Sequence, residues 1–174
     1  MLPASREASC NYGIGADGRI GMYVEEKNRS WCSSSNANDQ RAVTIECASD
    51  GAEPYAFRDV VYQSLITLCV DICKRNGKTK LLWLEDKDKT LAYTPAPDEM
   101  VLTVHRWFAN KSCPGNWMYA RMGDLAEKVT AQLSAGMDEE DDDMDINKFK
   151  ELWREMRNCL LYTSPSPRDV EESR

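Results

Sequence analysis

Residues 105–115 read HRWFANKSCPG and contain the only histidine of the 174-residue chain. The run before them, Met100 to Val104, is short and apolar and follows Pro97 and Asp98. That pattern predicts a buried strand ending at His105. Cys113 lies eight positions further on, across a polar loop closed by Pro114-Gly115. Alone, either His105 or Cys113 would most simply be structural. Together they are more specific, because imidazole and thiolate are both zinc ligands. A catalytic zinc site takes three protein ligands and leaves one position open for water. Lys111, two residues before the thiol, would set an ammonium beside that position. There it can stabilise the oxyanion formed from an amide carbonyl.

Upstream, Asp59 to Asn76 carries Val61, Leu65, Leu68 and Ile72 on one stripe, which predicts an amphipathic helix capped by Gly77. Lys80 to Leu84 reads as a short strand, followed by a turn-rich segment with Pro95 and Pro97. Downstream, Trp117 to Leu133 predicts a second helix, with Met118, Met122, Leu125, Val129 and Leu133 on one stripe. Nearer the N-terminus, Tyr12 to Val24 predicts a β-hairpin turning at Asp17-Gly18. Glu25 to Arg41 is polar and reads as a loop, with Trp31 standing out in it. Ala42 to Ala48 reads as a strand with Val43, Ile45 and Cys47 on one face and Thr44 and Glu46 on the other. A carboxylate inside a β-branched strand is either solvent-facing or functional. Strands alternating with helices give an α/β fold, a mixed central β-sheet covered by helices.

Composition sets the outer limits. The net charge is −7, and much of it comes from the acidic run Asp138 to Asp145. No clustered Lys and Arg mark a nucleic-acid footprint, and no apolar stretch is long enough for membrane insertion. The N-terminal residues lack the apolar core of a secretory signal. Seven cysteines cannot all pair, and their spacings match no zinc knuckle, so most read as buried, reduced thiols. After Leu133 the composition changes. Residues 135–145 read as an acidic linker, 146–161 as the first helix of a second module, and 162–174 as a disordered or artefactual tail. Its YTSPSPRD resembles translated sequencing adapter and carries no functional reading.

HRWFANKSCPG resembles the second half of the zinc site of the amidase-2 family. That family includes phage lysozyme-amidases, endolysins, autolysins and animal peptidoglycan recognition proteins. SCNYGIGADGRI (9–20) resembles the family's hairpin, and NRSWCSSSNANDQRAVTIE (28–46) its passage through a Trp and an Asn-rich loop into a strand ending Ile-Glu. The resemblance runs from about Ala4 to Leu133, so 1–134 reads as the amidase catalytic domain, of phage or Clostridium-like endolysin type. It implies that His105 and Cys113 ligate Zn2+, that Lys111 stabilises the oxyanion and that Glu46 is the general base. Trp31 and Asn36 would line the substrate groove. The implied substrate is bacterial peptidoglycan, cut between N-acetylmuramic acid and L-alanine at the cell wall. The alternative is a non-catalytic peptidoglycan-binding module of the same fold. Two departures stand out. The family's first zinc ligand is a His on a strand upstream of the hairpin, so that first strand is expected to be missing and the chain N-terminally truncated. A catalytic Tyr of some members falls at Cys10. Cys10 or Cys32 is the remaining candidate for a third ligand.

Overall fold

Asp17 and Gly18 reverse the chain between β1 (Tyr12–Ile14) and β2 (Ile20–Met22), which pair antiparallel with Gly13 opposite Gly21. The turn needs a left-handed residue, and Gly18 supplies it at φ 80°. The Asp17 carboxylate accepts from Arg19 N–H at 3.1 Å and closes the turn. A side chain at Gly18 would strike Val60 and Ser64, so the turn sits directly on the following helix. Ser64 Oγ donates to Gly18 O at 2.8 Å across that contact.

The computed structural model describes residues 8–135, which fall within one compact unit. β3 (Ile45–Cys47) pairs parallel to β1, giving the order β2-β1-β3. α2 (Asp59–Arg75) is the long predicted helix. Its stripe residues Val61, Leu65, Leu68 and Ile72 are all buried. It ends as expected, with Gly77 left-handed at φ 64°. Lys78 N–H reaches Cys73 O and Gly77 N–H reaches Lys74 O, which satisfies the last carbonyls. β4 (Lys80–Leu82) and β5 (Glu99–Val101) pair parallel as a second, two-stranded sheet. The outer edge of β4 is covered by α5 (Met122–Ala135): Thr130 Oγ1 accepts from Leu81 N–H at 3.0 Å and donates to Leu81 O at 3.2 Å. α2 and α5 pack together, and their apolar faces form one core with Ile14, Leu81 and Val104.

The fold is mixed α/β as read from the sequence, with four departures of detail. The sheet is divided, because β3 and β5 do not pair. A cavity of about 490 Å³ lies between them, walled by Val43 and Ile45 on one side and Val101 and Leu102 on the other. The polar stretch Glu25 to Arg41 is not all loop. Ser35 caps one helical turn, α1 (Asn36–Asp39), by accepting from Asn38 N–H at 3.3 Å. The segment before Pro95 holds α3 (Lys87–Ala92), capped by Asp86. The expected helix from Trp117 is two pieces, α4 (Asn116–Tyr119) and α5. Met118 and Met122 stay buried on both sides of the break. The readings of 136–161 and 162–174 lie outside the described residues.

Candidate active site

β5 ends at Val101, and the chain continues past Leu102, whose N–H reaches Leu82 O at 2.9 Å, to buried Val104. There the chain tightens into a 3-10 turn, His105–Trp107. Trp107 stacks on Trp83, ring centres 4.9 Å apart and planes 8° apart, and Trp83 meets Tyr119 edge-on. This aromatic stack fixes the turn and hence the imidazole. Arg106 then ties down the loop beyond it. Its backbone N–H reaches Cys113 O at 3.1 Å. Its guanidinium donates to Ser112 O and Asn116 Oδ1 and lies over the Tyr119 ring. The loop therefore returns Cys113 to the side of His105, as the eight-residue spacing requires.

His105, Cys113 and Glu46 all line one cavity of about 430 Å³, together with Cys32 and Ser33. His105 Nε2 and Ser34 Oγ share a hydrogen bond of 2.9 Å. Glu46 stands on the exposed face of β3, where Cys32 Sγ donates to its Oε1 at 3.4 Å. Burial, and then the Glu46 charge, push the Cys32 thiol up to about 12, so it keeps its proton and remains a donor. Burial raises the Cys113 thiol as well, with Glu46 adding to the rise; Lys111 and Arg106 pull the other way. Cys10 is raised for the same two reasons, burial first and Glu46 second.

The remaining sequence candidates are placed apart from this cavity wall. Lys111 is exposed on the loop, near enough for its charge to act on Cys113. Trp31 is 56% exposed, with the Arg29 guanidinium 4.1 Å above its ring. Asn36 is the first residue of α1 and is exposed. Neither Trp31 nor Asn36 lines the cavity.

The sequence reading missed the groups that hold the Cys32–Ser35 segment. Asp39 is 3% exposed. Its carboxylate accepts from Cys32 N–H at 3.2 Å, Ser33 N–H at 3.0 Å and Ser33 Oγ at 2.6 Å. Asn38 Oδ1 accepts from Thr103 Oγ1 at 3.1 Å and joins α1 to the end of β5. The signal was the density of Ser, Asn and Asp, which favours caps and side-chain-to-backbone bonds over plain loop. Asn11 was also missed. It is 1% exposed, and its side chain binds Thr44 N–H and Val24 O, joining β1, the hairpin end and β3.

For zinc, the donors fit in kind, one imidazole and one thiol on the same cavity. They do not fit in number: among the described residues no three His, Cys, Asp or Glu side chains converge to hold a metal ion. No described helix is long and apolar enough to cross a membrane.

No curated protein and no solved structure matches the chain. The amidase-2 family model, described as N-acetylmuramoyl-L-alanine amidase, matches residues 3–116. That span is more than half of the chain and takes in Glu46, His105, Lys111 and Cys113. The chain belongs to the N-acetylmuramoyl-L-alanine amidase family, whose activity is directed at peptidoglycan.

Proposed function

We propose that this protein is a zinc-dependent peptidoglycan amidase that hydrolyses the bond between the lactyl carbonyl of N-acetylmuramic acid and the nitrogen of L-alanine. The observation that carries the reading is the shared cavity of Glu46, His105 and Cys113 in a chain of this family. His105 and Cys113 would hold the zinc ion, which as a Lewis acid would polarise the amide carbonyl. Ser34 fixes the imidazole orientation through its 2.9 Å bond. Glu46 takes the proton from the attacking water and passes it to the departing alanine nitrogen as the C–N bond breaks. The Cys32 thiol holds the Glu46 carboxylate in place meanwhile. The Lys111 ammonium supports the negative charge that develops on the carbonyl oxygen. The protein would act at the cell wall, on phage lysis or after export.

Among the described residues no third donor joins His105 and Cys113, which supports a second reading, a peptidoglycan-binding module without catalysis. The amidase reading starts from zinc. Competition against a chromophoric chelator should show weak binding of one zinc per chain. Cys113→Ala and His105→Ala should each abolish it. Unchanged zinc uptake in both variants would remove these residues from the site.

A further inference from the structure

The outer face of the three-stranded sheet carries a row of partners, Gly21, Gly13 and Glu46, since Gly13 is in register with Gly21 on β2 and with Glu46 on β3. Residues in register point to the same side of a sheet. Two of the three have no side chain, so on β1 and β2 this row is bare backbone. Tyr23 fills it. A Cβ on Gly13 would lie 2.7 Å from Tyr23 Cε2, and one on Gly21 would lie 3.7 Å from Cε2, Cζ and OH. The tyrosine ring thus rests on the two glycines, and 74% of the residue is still exposed. Strands lie roughly 5 Å apart, so a ring above Gly13 is one strand spacing from the Glu46 column.

The backbone that carries the ring is held in place. Tyr23 N–H reaches Asn11 O at 2.9 Å, and the buried Asn11 amide binds Val24 O at 3.2 Å. An exposed aromatic on so fixed a backbone costs little entropy to use in binding. On the other side of Glu46 the surface is different in kind, a cavity reaching inward to Val104 and Met118. Glu46 therefore stands between a flat aromatic shelf and a deep, largely apolar cleft.

We propose that Tyr23 is the stacking residue of a sugar subsite that binds the pyranose ring of the glycan beside the cleaved amide, while the inward cavity takes the peptide. The inference rests on the amidase reading above, because the bond in question joins a sugar substituent to a peptide. A flat, largely exposed aromatic ring resting on two glycines suits the C–H face of a pyranose. An extended peptide would need pockets for alternate side chains, and the glycine row offers none.

The test uses the full chain without zinc and two probes: a soluble disaccharide-dipeptide cut from peptidoglycan, and the same dipeptide without sugar. Calorimetry should show Tyr23→Ala weakening the disaccharide probe about 3- to 10-fold, with the sugar-free dipeptide unaffected. Tyr23→Phe should bind both probes like the wild type. In the wild type, the Tyr23 ring protons should shift on addition of the disaccharide probe and not of the dipeptide, a readout independent of how well the variant folds. Equal weakening of both probes, no weakening of either, or unmoved ring signals would overturn the subsite. If the wild type cuts wall and yet shows one of these results, only the subsite falls. If it binds neither probe and also releases no alanine amino groups from wall with zinc in excess, the amidase reading falls with it.

Discussion

Glu46 shows how one residue can be legible in part. Its place in a β-branched strand marks it as solvent-facing or functional, and the structure shows an exposed carboxylate on the wall of the cavity that also holds His105 and Cys113. His105 and Cys113 line one cavity, a meeting that their short spacing across the loop allows, and their role as zinc ligands is the reading proposed above. What was not readable is the support: Ser34 against His105, Cys32 against Glu46, and Asp39 beneath Cys32 and Ser33. The first two join positions 71 and 14 apart, and no local pattern encodes such a meeting. Asp39 lies within seven residues of its partners, where only the density of Ser, Asn and Asp marks it. At this scale the account predicts that Glu46→Gln lowers turnover about 10²- to 10⁴-fold, the usual contribution of a positioned general base. Zinc content, measured on the same samples, should not change. A variant that keeps full turnover would take Glu46 out of the chemistry.

Among the elements, α2 and the hairpin were the most legible. A 17-residue helix with an unbroken apolar stripe and a glycine stop leaves little freedom in its reading, and Asp-Gly between alternating strands is equally direct. Short elements were lost. α1 and α4 have four residues each, less than any periodicity can resolve, and they form because capping and tertiary packing hold them. The division of the sheet was also hidden, since strand neighbours across a fold leave no mark on either strand. Leu65 is 6% exposed at the centre of the α2 stripe and also lines the active-site cavity. Leu65→Ala should cost about 2–5 kcal/mol of stability in denaturant melts. A loss well below that range would mean that α2 is not the main covering helix.

Across the molecule, hairpin and helix are joined at their far ends by charge. Glu26 accepts from Arg75 Nη2 at 2.9 Å and Nη1 at 3.0 Å, and from Tyr12 OH at 2.7 Å. The Arg75 bond is the chief cause that holds the Glu26 carboxyl below its ordinary 4.5, with Tyr12 helping against the cost of burial. A carboxyl lowered in the folded state contributes its stability above the unfolded value and loses it as pH falls through the folded one. Glu26→Gln should therefore melt below the wild type at about pH 7, and the gap should close as pH falls below the ordinary carboxyl value of 4.5. A gap independent of pH would show that the contact works by packing alone. The direct measurement of amidase activity is the appearance of free alanine amino groups when the chain is incubated with purified peptidoglycan, with zinc in excess and then with a chelator. The account predicts slow release of peptides beginning with L-alanine, dependent on zinc, stopped by the chelator and absent in Cys113→Ala. Wall binding at saturating zinc with no new alanine amino groups would contradict it and leave a module that recognises peptidoglycan without cutting it.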